Sequence, residues 1–131
     1  MKFILIDSTG QELFVALVSE KDIEVRIFKE QRAHDRNLNK LTHDWIDKAN
    51  AFAVVTGPGS WTGSRVGVVA TKAYALATGK MVIALTANEN RDILIAEAKQ
   101  KYKNKEFINV RELSPTYDSE FKVTLKKGSN D

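Results

Sequence analysis

The stretch VVTGPGSWTGSRVGVVATKAYALATGK, beginning at Val54, constrains the fold of this chain more than any other. An apolar run, Phe52 to Val55, meets a turn crowded with Gly57, Gly59, Gly63 and Gly67. A helix-like run follows to about Ala77, where Thr78-Gly79 stops it. Glycine is entropically costly to order, so gathering four of the chain's seven glycines between Gly57 and Gly67 marks a backbone that turns tightly or is closely approached. Beyond the turn, Gly63, Gly67, Ala70 and Tyr74 recur at helical spacing with Ala73 and Ala77 beside them, a row nearly bare of side chains. Val66, Val68, Val69 and Leu76 occupy the other sides, so this helix is apolar nearly all round and must be covered on both sides. A sheet covers one side. The other needs a second helix of the chain or a partner protein.

The remaining pattern supplies the sheet. Lys2 to Ile6 is β-branched and aromatic-rich, and Asp7, Ser8, Thr9 and Gly10 end it as a buried strand ends at a tight turn. Leu13 to Val18 and Ile23 to Phe28 are two further strands, the second alternating cleanly with a wet outer face, and the three form an antiparallel meander. Gln31 to Lys48 takes helical spacing, with Leu38, Leu41, Trp45 and Ile46 on one side. Met81 to Leu85 is a fifth strand and Asp92 to Lys103 a third helix, rich in Ala, Glu and Lys. Phe107 to Val110 and Phe121 to Leu125 read as a hairpin or edge strands, and Lys126 to Asp131 as a frayed tail. Three antiparallel strands, then helix, strand, helix, strand, helix is the order of the actin-like or ribonuclease H-like half-fold: an α/β domain with a mixed five-stranded sheet and flanking helices.

At 131 residues, 43% hydrophobic and 28% charged, the chain can bury one core without disulfides or metals, and a single lobe over residues 1–125 is expected. A net charge of +3 permits nucleic-acid contact without requiring it. The absence of cysteine removes disulfides, thiolate metal sites and cysteine nucleophiles. The apolar run after Met1 reaches Asp7 too soon for a signal peptide, and no run is long enough to span a membrane, so a cytoplasmic protein is expected.

Tests for catalytic chemistry fail on spacing. A P-loop needs Gly-Lys-Ser/Thr five residues after its first glycine, where this chain has Thr62 after Gly57 and Ser64 after Gly59. In a dinucleotide fingerprint the third glycine would come one residue before Gly63. A looser phosphate contact by Asp7, Ser8, Thr9, Gly59, Ser60 and Thr62 stays open beside a purely structural turn. Asp7 stands where a metal-binding carboxylate of the ribonuclease H-like fold would stand. The strand Phe52 to Val55, however, ends in Thr56-Gly57 with no second acid, and Asp7 reads as a turn residue bonding nearby amides. His34 and His43, nine residues apart, fall on opposite sides of a helix and cannot share an ion, and Gly-x-Ser-x-Gly is absent. Lys99, Lys101, Lys103 and Lys105, with Arg111, Lys122, Lys126 and Lys127, read as solvated charge without interleaved aromatics for base stacking.

Gly57-Pro58-Gly59-Ser60-Trp61-Thr62-Gly63-Ser64-Arg65-Val66-Gly67 with Ala70-Thr71-Lys72-Ala73 resembles the GPGSFTGLRIG…AKG segment of the TsaB (YeaZ) family. Ile6-Asp7-Ser8-Thr9 resembles that family's IDTS, Arg32-Ala33-His34 its arginine-x-histidine, and Pro115-Thr116-Tyr117 its late proline-x-tyrosine. The resemblance implies an actin-like fold and a part in making N6-threonylcarbamoyladenosine beside the tRNA anticodon. The implied role is that of a non-catalytic scaffold, with the two helices Gln31 to Lys48 and Val66 to Ala77 packing on the catalytic subunit TsaD. The ATPase TsaE is implied as a further partner, tRNA is met only indirectly, and the same helices serve a homodimer when TsaD is absent. The expected interface is Leu38, Leu41, Trp45, Gly63, Gly67, Ala70, Thr71 and Tyr74, and Gly67→Leu is expected to abolish association while leaving the domain folded. No cofactor or metal is expected, ATP or ADP entering only at an interface within the complex. Trp61 replaces phenylalanine, Ser8-Thr9 reverses Thr-Ser, Asp118 and Ser119 replace leucine and arginine, and against the two-lobed usual member a shortened one without most of the second lobe is expected. The rival reading is a degenerate kinase or phosphohydrolase that uses the glycine turn for phosphate.

Overall fold

The computed structural model describes residues 1–29, 34–59 and 61–116. Its centre is β1 (Lys2–Asp7), flanked by β2 (Leu13–Ser19) and β4 (Ala51–Gly57), with β3 (Ile23–Phe28) and β5 (Met81–Thr86) at the edges in the order β3-β2-β1-β4-β5. β1 pairs antiparallel with β2, Phe3 opposite Val18, and parallel with β4, Phe3 opposite Ala51; β4 and β5 are also parallel. β1, β2 and β4 are apolar nearly throughout because the sheet is covered on both faces.

On one face lie α1 (His34–Thr42) and α2 (Trp61–Thr78), over a core that includes Ile4, Ile6, Val15, Leu38, Trp45, Phe52, Val54, Val68 and Leu113. On the other, α3 (Arg91–Lys103) covers Phe3, Leu5, Phe14, Ile83 and Leu85 with its own Leu94 and Ala98. Burying each large apolar side chain stabilises by roughly 1.5–3 kcal/mol, so these two layers supply most of the driving force. α3 begins at Asn90, whose side chain accepts from the amides of Asp92 and Ile93, and carries Lys101 and Lys103 in its last turn, both favourable to the helix dipole. Gly79 ends α2 at φ 73°, a left-handed conformation in which its amide donates to the Ala75 carbonyl.

Two expected elements differ. The helix expected to run unbroken to Lys48 leaves α geometry at Thr42, because Nη1 of Arg26 on β3 takes the Leu41 carbonyl that would have closed the next turn. The Trp45 amide turns instead to the Thr42 carbonyl, and a short 3-10 helix, Ile46–Lys48, leads into β4. The expected strand at Phe107 to Val110 reduces to one antiparallel bridge, Ile108 to Val82, followed by a 3-10 turn at Val110–Glu112 whose cap is the Asn109 side chain. Residues 121–125 and 126–131, the expected second run and frayed tail, lie outside the described residues.

Candidate functional site

The glycine segment is built around Ser8, the residue that follows β1. Ser8 is fully buried; its hydroxyl donates to the Gly63 carbonyl and accepts from the Gly67 amide, 2.8 Å away. Gly63 C=O and Gly67 N–H are the partners that an uninterrupted helix would join to each other, so the serine oxygen sits inside the first turns of α2. Such an approach leaves no room for a side chain: a Cβ on Gly67 would lie 2.8 Å from Ser8 Oγ and 3.3 Å from Ile6 Cγ2. Gly57 closes the other side of the turn. It has φ 129°, and a Cβ there would fall 2.1 Å from the carbonyl oxygen of Thr116, whose own amide donates to the Thr56 carbonyl. The proline-threonine pair near the chain's end therefore docks directly on the glycine turn.

These contacts decide which way the helix faces. Gly63 and Gly67 look at the sheet, not outward, and their lack of side chains lets the first turns of α2 press onto the end of β1. Leu38, Trp45 and Thr71 are also buried inside the domain, while Leu41, Ala70 and Tyr74 are half-buried at the seam between α1 and α2. At that seam Tyr74 Oη lies 3.4 Å from both Thr42 Oγ1 and Asn39 Oδ1, and its ring packs 5.8 Å from that of Phe52. The outward stripe of α2 consists of Val69, 58% exposed, Ala73, and Leu76, 63% exposed, beside Arg65. Sequence reasoning missed this stripe because a helix apolar all round offers no polar face to mark its outside.

Asp7 forms the expected turn, its carboxylate accepting from the Thr9 amide at 2.9 Å and the Thr9 hydroxyl at 2.6 Å. Both residues line an open cleft of about 400 Å³ at the carboxyl ends of β1, β4 and β5, with Gly10, Pro58, Ala87, Asn88, Glu89 and Arg91. Its cation, Arg91, is already engaged, 3.1 Å from Glu12 and 4.4 Å above the Phe14 ring. Of the residues considered for phosphate, Asp7 and Thr9 thus border the cleft, and the Ser8 hydroxyl is consumed by α2. Gly59 is half-buried, and Ser60 and the Thr62 side chain lie outside the described residues. Among the described residues no group of three or more His, Asp or Glu is placed to hold a metal ion, and no helix is long and apolar enough to cross a membrane.

Near the end of α1, Arg26 lies 4.0 Å above the Trp45 ring and grips Asp44 with both terminal nitrogens, at 2.7 and 3.0 Å. Hydrogen bonding from Arg26 lowers the Asp44 carboxyl from its ordinary 3.8 to about 2 against a smaller opposing effect of burial, and the same bond raises the Arg26 guanidinium.

No protein-family model and no curated protein matches this chain. Solved structures do. YeaZ from Pseudomonas aeruginosa superposes with a TM-score of 0.61 at 22% identity, over 80% of this chain and 50% of that one. An uncharacterized protein with similarity to peptidase YEAZ from Pseudomonas aeruginosa gives 0.60 at 23%, over 78% and 48%. The fold is that of YeaZ. The chain spans about half the length of these structures.

Proposed function

We propose that this chain is a TsaB-type scaffold, a non-catalytic subunit of the machinery that makes N6-threonylcarbamoyladenosine in tRNA. Its partner is a TsaD-like catalytic subunit, with a TsaE-like ATPase as a further member and tRNA met only through the complex. The observation that carries this reading is the outward stripe of α2, where Val69 and Leu76 stand more than half exposed on the helix that opens with the family-like glycine segment. An exposed apolar helix stripe beside a second helix is suited to another protein's helices. Leu38, Trp45, Gly63, Gly67 and Thr71 act one layer deeper, holding α1 and α2 in place. The YeaZ-like fold supports the reading, as does the resemblance of the glycine segment. Deleting the gene is expected to abolish the modified nucleoside, and the 131-residue chain is expected to restore it.

The nucleotide-enzyme reading draws on the cleft beside Asp7. Two carboxylates, Asp7 and Glu89, border it, and its arginine is occupied by Glu12, which disfavours a polyphosphate. Calorimetry with ATP-Mg separates the two readings: the scaffold alone gives no heat, whereas micromolar binding would favour the enzyme.

A further inference from the structure

The outward face of the helix layer carries charge of one sign. Leu38 turns α1 onto the sheet, so Arg36 and Lys40, two residues to either side of it, point away from the sheet, and both are exposed. On α2, exposed Arg65 and half-buried Lys72 stand four residues before and three after Val69, on the flank away from Ala70 and Tyr74 at the α1 seam. The apolar stripe of Val69, Ala73 and Leu76 thus runs between two basic borders, one on each helix.

α2 contains no acid, and α1 contains Asp35 alone. Asp44, just past α1, is held by Arg26. Arg36, Lys40 and Lys72 enter no ion pair among the described residues, and neither does Arg111 on the 3-10 turn Val110–Glu112 that packs beside α2. Among the described residues this outer face offers no aromatic ring on which a base could stack: Trp45 is buried, and the Tyr74 ring lies against Phe52. An apolar centre with a cationic border suits a protein surface of opposite charge better than a nucleic-acid backbone, which would leave Val69 and Leu76 uncovered.

We infer that the occupant of this face is an acidic helical protein surface. Its apolar ridge covers Val69, Ala73 and Leu76, and its Asp and Glu residues meet Lys72 on one border and Arg36 and Lys40 on the other. This rests on the scaffold reading of the same face, to which it adds the charge that selects the catalytic subunit. The same charge disfavours a second copy. A two-fold pairing of the face with itself sets the four cations and one acid of α1 and α2 against an equal set, and like-charge contact is how an interface rejects a wrong partner. Salt therefore acts in opposite directions on the two assemblies, weakening the heteromeric one and strengthening any homodimer built on these helices.

Titration calorimetry and stopped-flow association with the TsaD-like catalytic subunit, at about 50 and about 500 mM salt, provide the test. The full chain should bind at both, with Kd at least about fivefold weaker at the higher salt and the change lying mostly in the association rate. Lys40→Glu and Lys72→Glu, one from each border and both outside the core, should each slow association at least about threefold at low salt. At high salt each should match the parent within about a factor of two, a convergence that a folding defect would not give. Binding indifferent to salt and to both charge reversals would overturn the acidic partner while leaving the scaffold reading in place, whereas a parent that binds at neither salt would overturn both. Tighter binding by Lys72→Glu, a homodimer that dissociates as salt rises in equilibrium sedimentation, or binding of free tRNA with the same dependence on Lys40 and Lys72 would also overturn it.

Discussion

A single hydroxyl explains the glycine pattern. Ser8 reaches the backbone of α2 where Gly63 and Gly67 would otherwise bond each other, and only a helix without side chains there admits it. Gly67→Leu is therefore expected to lower folding stability by at least about 2–3 kcal/mol, read from the urea midpoint, rather than to act selectively on a partner as the sequence suggests. A variant as stable as the parent would contradict the packing. Thr71, one helical turn further, is fully buried, and among the described residues its Oγ1 has no hydrogen-bond partner. Replacing an unsatisfied buried hydroxyl with a methyl removes its desolvation cost, so Thr71→Val should raise stability by about 1 kcal/mol in the same assay. A loss of that size would mean that the hydroxyl is satisfied.

The elements formed where pattern and backbone demand agree, and changed where a long-range side chain intervened. Alternation marked β3 to the residue, and the glycine stop placed the end of α2 within one residue of Thr78. The break in α1 was not legible, because nothing local says that Arg26, fifteen residues earlier, will claim the Leu41 carbonyl. Arg26 also makes this junction sensitive to acid. The folded carboxyl of Asp44 titrates at about 2, below its ordinary 3.8, so the stabilisation is complete above pH of about 4 and is lost as pH falls toward 2, while the guanidinium stays charged. The stability gap between the parent and Asp44→Asn should hold constant above that range and close within it. A gap unchanged down to pH 2 would show that Asp44 acts through something other than its charge.

At the scale of the molecule, the order of runs was enough for the mixed sheet and its covering helices, since a meander followed by alternating helices and strands leaves few right-handed arrangements. The site was legible only in part. The sequence pointed to α2 and to its pairing with α1, but it could not say which side of an apolar helix the sheet takes. Gly63 and Gly67, which read as an outer surface, lie against the end of β1, and the larger Val69 and Leu76 face out. Partner docking by that stripe is the central claim, and titration calorimetry with the TsaD-like catalytic subunit tests it most directly. The parent chain should bind, and Leu76→Glu, which alters an exposed side chain and leaves the fold intact, should weaken binding at least about thirtyfold, as expected for an anchor worth about 2 kcal/mol. Equal affinity for the two chains would contradict the account.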